Sequence, residues 1–138
     1  MKKIAFLILA YFVFFTAGAQ YKNEIVIEQV LKTDTTTIGQ KIVYPQVQNA
    51  EVTMSKITIP PGKSTGWHKH AYPVFAYVLN GELTVELENN KSVQFGENAS
   101  IAEVMETYHN GINRGTEDVV LIAIYLGEKG KGLSTRKE

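Results

Sequence analysis

"GKSTGWHKHAYPVFAYVLNGELTVEL", residues 62–87, carries the clearest structural signal in the chain and two of its three histidines. Asn80-Gly81 in its middle predicts a two-residue hairpin turn, because both residue types tolerate positive φ. After the turn, apolar and polar residues alternate as far as Leu87. That alternation is typical of a strand with one buried face. The stretch therefore predicts two β-strands joined by a tight turn.

The sequence pattern predicts short strands and turns in the rest of the chain as well. Residues 51–62 alternate and end at Pro60-Pro61-Gly62, which stops a strand because proline cannot donate to the ladder. Asn89-Asn90 predicts a second turn. Residues 118–126, "DVVLIAIYL", are apolar at nearly every position and predict a strand covered on both faces. The pattern is that of an all-β barrel or sandwich.

The N-terminus has the pattern of a secretion signal. Lys2 and Lys3 precede an apolar run that is short for a membrane span, and the small residues Ala17-Gly18-Ala19 follow it. We predict a signal peptide over residues 1–19, with cleavage after Ala19. No cysteine follows that could carry a lipid. The expected protein is exported to the periplasm or beyond, with no stable membrane anchor after cleavage.

The remaining chain has the size and composition of one domain. We predict N-terminal strands over residues 20–50, a barrel domain over 51–126 and a flexible, glycine-rich tail over 127–138. The 14 basic and 14 acidic residues balance, so no nucleic-acid or anionic-membrane partner is expected. The absence of cysteine in an exported chain excludes disulfides, so stability must come from packing.

The histidines are the best candidates for chemistry. His68 and His70 lie two residues apart, so in a strand they point to the same face. An apolar core accommodates two adjacent imidazoles poorly, because each buried ring needs polar partners. Neutral imidazole nitrogens do bind divalent transition metals readily. An incidental pair at the surface is the alternative.

The order of these residues resembles the two motifs of the cupin superfamily. The first motif is matched by Gly62, five residues, His68-Lys69-His70 and Gly81, and the second by His109 and Asn113 in "HNGIN". The similarity covers residues 50–126. It implies an antiparallel double-stranded β-helix, or jelly-roll barrel, with metal ligands at His68, His70 and His109. It also implies a homodimer.

The chain departs from the motif at its usual carboxylate ligand. Val74 stands where the family has a glutamate, and no acidic residue lies between His70 and Gly81. Glu103 and Glu106 precede the third histidine and could supply a replacement ligand or a general base. Surface exposure is favoured for both, because carboxylates are rarely buried unpaired.

Strand parity selects further candidates for a substrate pocket. Val74, Ala76 and Val78 share the face of His70 and predict an apolar wall. Asn113 shares the face of His109, where it would either reach the cavity or cap a turn.

By resemblance, the three-histidine set predicts a bound divalent ion, which could be Fe, Mn, Ni, Cu or Zn. Such a site resembles the three-histidine iron sites of some cupin dioxygenases. The favoured function is an oxidoreductase or an isomerase acting on a small organic molecule. The first alternative is a periplasmic module that binds a sugar or organic acid without turnover. The second is an accessory domain whose apolar strand 118–126 mainly builds a dimer.

Overall fold

The computed structural model describes residues 25–138, so the predicted signal peptide lies outside the described residues. Within that range the chain forms β-strands and no helix, and so offers no helical segment that could cross a bilayer. The strands are β1 (Ala50–Ile59), β2 (His68–Lys69), β3 (Val74–Asn80), β4 (Leu83–Leu87), β5 (Ser92–Phe95), β6 (Ser100–Ala102), β7 (His109–Asn113), β8 (Val119–Glu128) and β9 (Thr135–Arg136).

The strands form two antiparallel sheets that share one apolar core. One sheet has the order β1-β8-β3-β6, and the other has the order β5-β4-β7-β2-β9. Side chains from both sheets meet between them: Ile59, Ala76, Val78, Leu83, Ile101, Val119, Leu121 and Ala123. The two packed sheets confirm the prediction of an all-β jelly-roll barrel.

The predicted hairpin at Asn80-Gly81 is wrong in one respect, because the two strands do not pair with each other. β3 pairs with β8 and β6, whereas β4 pairs with β5 and β7. The turn carries the chain from one sheet to the other. It is tight: Gly81 has a φ of 77°, and a Cβ there would lie 2.8 Å from the carbonyl oxygen of Asp118. Asn80 donates its side-chain N–H to that same oxygen at 2.7 Å.

β8 is one of the two interior strands of its sheet, but its two faces differ. Its inward residues Val119, Leu121 and Ala123 are buried, while Ile122 and Ile124 on the outer face are only half-buried. Pairing with β1 and β3 explains why the strand is apolar throughout. Within residues 25–138, however, the second face is only partly covered.

The structure differs from the prediction of strands over residues 20–50. In the described part, residues 25–49, the only pairing is an isolated bridge between Thr35 and Lys41. Residues around this bridge contact the end of β6 instead: Thr37 donates its backbone N–H to Ala102 at 2.9 Å. The β-prone residues of this segment therefore make a few backbone hydrogen bonds but do not form a strand ladder.

The structure also differs from the prediction of a flexible tail at residues 127–138. β8 continues to Glu128, and β9 then pairs with β2 through Lys69 opposite Thr135 and His68 opposite Arg136. Glycine-rich, charged composition suggested mobility, but backbone pairing with a neighbouring strand holds this segment in place. As a consequence, the C-terminal residues lie beside the histidines.

Candidate metal centre

The three histidines come together on the inner side of one sheet. His68 in β2 and His109 in β7 are direct cross-strand partners, and His70 follows β2 by one residue. One ligand atom from each ring lies within 4.8 Å of the others. The side chains of His70 and His109 are almost completely buried, at 3% and 4% exposure. Residues about forty positions apart in sequence thus share one site.

All three rings are oriented in the same way by backbone carbonyls. The Nδ1 to oxygen distances are 2.7 Å from His68 to Gly66, 2.8 Å from His70 to Leu133 and 3.0 Å from His109 to Thr107. An N–H at Nδ1 that donates to a carbonyl leaves Nε2 with a free lone pair. Histidines that bind metal through Nε2 are usually fixed by this second hydrogen bond.

Glu103 reaches into the same cluster, which corrects the prediction that it is exposed. Its Oε2 lies 3.2 Å from Nε2 of His70 and 3.2 Å from Nε2 of His109. Only 17% of its side chain is exposed. Its backbone N–H donates to the carbonyl of Val74 at 2.9 Å, because β6 and β3 are antiparallel neighbours. The carboxylate therefore enters beside the position where the cupin motif has its glutamate.

The sequence did hold a signal for Glu103. It is a single carboxylate among apolar residues in "SIAEVM", and its neighbours Ile101, Ala102 and Val104 are all buried. A charge in the middle of a buried run needs a polar partner. Glu106, by contrast, lies at the surface and forms an ion pair with Lys69 at 2.7 Å.

The carboxylate and the imidazoles change one another's ionisation. Burial alone would raise the pKa of Glu103, but hydrogen bonds with His109 and His70 and their charges lower that pKa to about 2. Burial alone would lower the pKa of His70, and the hydrogen bond and charge of Glu103 raise it instead. Burial lowers the pKa of His68. Without metal, the cluster is therefore an ionised Glu103 beside a readily protonated His70.

The donor set fits a divalent metal ion. His70 and His109 each face an acceptor at both ring nitrogens: a carbonyl at Nδ1 and the Glu103 carboxylate at Nε2. A neutral imidazole has only one N–H, so the second nitrogen needs either an added proton or another cation. A metal ion would satisfy the converging lone pairs of three nitrogens and one carboxylate at once.

Two spaces that share lining residues adjoin the cluster. The inner cavity, of about 50 Å³, is bounded by the three histidines, Glu103 and the apolar residues Ile57, Ile59, Leu83, Val85 and Leu121. The mouth, of about 160 Å³, opens to solvent and is lined by Thr65, His68, His70, Tyr125, Ser134 and Arg136. Because His68, His70 and Tyr125 line both, a molecule in the mouth would lie against the cluster.

Comparison with known proteins agrees with this geometry. A family model described as a cupin domain matches residues 55–125, which include all three histidines and Glu103. The chain belongs to the cupin family. No curated protein sequence matches this cupin.

Solved structures with the same fold include proteins from several bacteria. A cupin domain from Bordetella pertussis is 26% identical, with a TM-score of 0.50 over 59% of this cupin and 88% of that chain. A cupin-like protein from Thermotoga maritima is 16% identical, with a TM-score of 0.56 over 62% of this cupin and 64% of that chain.

A protein assigned as a sugar phosphate isomerase from Acidithiobacillus ferrooxidans is 29% identical over 55% of this cupin, with a TM-score of 0.48. This cupin covers half of that chain's length.

The remaining candidates from the sequence lie elsewhere in this cupin. Ala76 and Val78 belong to the central core, and Val74 borders a separate small cavity beside Tyr72. None of the three is among the described residues that line the inner cavity or the mouth. Asn113 is buried and holds a turn: it donates to the carbonyls of Ile59 and Glu117, both at 2.7 Å. These contacts are those of a turn-capping residue.

Proposed function

We propose that this cupin binds one divalent transition-metal ion through Nε2 of His68, His70 and His109, with the carboxylate of Glu103 as a fourth donor. The observation that carries the proposal is the convergence of one ring nitrogen from each of three histidines, whose rings are each anchored at Nδ1 by a backbone carbonyl. Three neutral imidazoles and one carboxylate would leave the bound ion with a net charge of about +1. Coordination positions towards the mouth would remain for water or an oxygen of a ligand.

We further propose that the site acts on a small organic molecule, as an oxidoreductase or an isomerase. A bound divalent ion would polarise a coordinated oxygen of such a molecule. Tyr125 lines both the inner cavity and the mouth, and burial and the charge of Glu103 raise the pKa of its phenol. The phenol is therefore protonated at neutral pH and can donate a hydrogen bond. The apolar walls of the inner cavity would exclude water around the reacting group.

One experiment tests both the metal and the proposed export. The full-length chain is expressed without a tag in a bacterium, recovered from the envelope and medium fractions without chelators, and analysed by intact mass and elemental mass spectrometry. We expect a mass that corresponds to cleavage after Ala19 and roughly one transition-metal ion per chain, because three histidines and one carboxylate form a single site. Metal content should fall at acidic pH, because protons compete for His70.

The result would distinguish the candidate functions. A protein that takes up no iron, manganese, nickel, copper or zinc would overturn the metal proposal and favour a module that binds a sugar or organic acid. A full-length mass in the cytoplasmic fraction alone would overturn export and leave the metal proposal intact.

We propose that a second copy of the chain covers the outer face of the β1-β8-β3-β6 sheet. Val52 and Met54 on β1 are largely exposed there, next to the half-buried Ile122, Ile124 and Leu126 of β8. β1 is also an edge strand. Residues 25–31 of the same chain have no regular secondary structure, are exposed, and include Ile25, Val26, Ile27 and Val30.

The exposed apolar face beside the β1 edge and the exposed residues 25–31 favour a second copy of the chain as the partner. An open edge beside an apolar face is an aggregation hazard unless it is paired or covered. A twofold dimer would let residues 25–31 of each copy pair with β1 of the other and cover both exposed apolar surfaces at once.

Met54→Asp is expected to convert the dimer into a monomer, because it places a charge in the apolar contact. Size-exclusion chromatography with light scattering would measure the mass of both forms. Val43→Asp is the matched control, because Val43 is exposed to a similar extent (64% against 66%) but lies outside this face. A wild-type monomer at micromolar concentration, or loss of the dimer in both variants, would contradict the assignment of this face.

A further inference from the structure

Arg136 is placed beside the metal centre by strand register. It is the cross-strand partner of His68, which is in turn the partner of His109. Partners in antiparallel strands carry their side chains on the same face. His109, His68 and Arg136 therefore form one row across β7, β2 and β9.

The guanidinium lies close to the backbone that orients His68. A Cβ built on Gly66 would be 3.6 Å from Nη1 of Arg136, and the carbonyl of Gly66 accepts from Nδ1 of His68. Arg136 also lines the mouth together with both His68 and His70. A positive charge thus stands at the entrance to the cluster, on the side that is open to solvent.

Arg136 takes part in no ion pair within residues 25–138, unlike the cations around it. Lys137, the next residue, pairs with Glu88 at 2.5 Å. Lys69, beside His68, pairs with Glu106. The nearest carboxylate inside the site, Glu103, is bonded to His70 and His109. The guanidinium therefore keeps its donors free for a molecule that enters the mouth.

The chemistry of the mouth matches a carboxylate. A guanidinium presents a planar fork of N–H donors that binds carboxylate oxygens in pairs. The hydroxyl groups of Ser134 and Tyr125 line the same space and can donate further hydrogen bonds. The volume of about 160 Å³ has room for roughly five water molecules, which is enough for the carboxylate end of a small ligand.

We infer that the mouth recognises the carboxylate group of a small organic acid, and that Arg136 is the residue that selects it. This inference rests on the proposed metal site and names the substrate class for it. A divalent ion, the Glu103 carboxylate and the Arg136 guanidinium together carry a charge of about +2. A dicarboxylate would neutralise this charge and a monocarboxylate would reduce it to about +1, whereas a neutral molecule of the same shape would leave it uncompensated.

The test uses malonate as the probe and malonamide, its neutral analogue, as the reference. The Co²⁺-loaded protein is titrated with each by calorimetry and by the visible absorption of the ion, for wild type, Arg136→Gln, Arg136→Lys and Lys137→Gln. Lys137→Gln is the matched control, because it removes the same charge from the next residue of the chain. Metal content is measured before and after each titration.

We expect malonate to bind the wild-type protein at least tenfold more tightly than malonamide does. Arg136→Gln should weaken malonate binding roughly tenfold or more, because a charge-assisted bidentate pair is lost. Arg136→Lys should recover part of the affinity, and Lys137→Gln should change it less than twofold.

The outcomes separate this inference from the metal proposal. Full metal content with equal malonate affinity in wild type and Arg136→Gln overturns the carboxylate inference alone. Equal losses in Arg136→Gln and Lys137→Gln also overturn it, because they indicate a general charge effect. A wild-type protein that takes up no Co²⁺ overturns both proposals. Loss of metal in Arg136→Gln would assign the residue to the structure of the centre and not to ligand recognition.

Discussion

His109→Ala is expected to reduce metal affinity by roughly a hundredfold or more while the barrel stays folded. The variant removes one of three converging nitrogens and one of the two hydrogen-bond partners of Glu103. Loss of an outer partner of a metal ligand already costs about 10- to 100-fold in affinity, so loss of a direct ligand should cost more. β7 itself is held by backbone pairing with β4 and β2, which the substitution leaves in place. Competition against a chromogenic chelator measures the affinity, and circular dichroism checks the fold.

Asn110→Ala is the matched control for this variant. Asn110 is the next residue in β7 and is also buried, but its side chain points to the opposite face of the strand. The Asn110→Ala variant should bind metal as the wild type does, even if its melting temperature falls. If His109→Ala binds metal as tightly as Asn110→Ala does, the ion lies away from the three histidines.

The position of the histidine cluster could be predicted because it follows from local rules. A period of two puts His68 and His70 on one face, and motif spacing adds His109 by resemblance. Glu103 is different, because its role depends on which strand lies beside β3. The contact between Glu103 and Val74 is set by the antiparallel pairing of β6 with β3, and no local pattern in the sequence specifies that pairing.

The same limit explains the other differences between sequence and structure. Asn80-Gly81 correctly indicated a tight turn, but turn chemistry does not say whether the next strand pairs with the last one or joins another sheet. Composition marked residues 127–138 as mobile, and it could not show that β2 offers β9 a free edge. Strand parity identified Ala76 and Val78 as inward, yet the depth of a residue along the barrel decides whether it meets the core or the cavity.

Moving the carboxylate from position 103 to position 74, on the neighbouring strand, is expected to restore most of the metal affinity that is lost when Glu103 is removed. Glu103→Val should weaken metal affinity roughly a hundredfold or more, because three neutral nitrogens then hold the ion without a charged ligand. Val74→Glu in the same chain returns a carboxylate to the usual position of the motif, directly beside the one removed. The double variant Val74→Glu/Glu103→Val should therefore bind metal at least tenfold more tightly than Glu103→Val.

Val74→Glu alone should destabilise the protein when no metal is present. It would place a second carboxylate next to Glu103 in a buried site, and two neighbouring carboxylates cannot both ionise without mutual repulsion. We therefore expect a lower melting temperature for the metal-free single variant and a larger rise when metal is added. Glu106→Val serves as the control, because Glu106 is exposed and pairs with Lys69 at the surface.

The four affinities form a double-mutant cycle that isolates the interaction between positions 74 and 103. If the two positions are interchangeable sites for one ligand, the double variant lies close to the wild type and far from Glu103→Val. A double variant as weak as Glu103→Val would show that a side chain at position 74 does not reach the ion. Wild-type affinity in Glu103→Val itself would show that the three histidines suffice, and that Glu103 serves only to accept hydrogen bonds from His70 and His109.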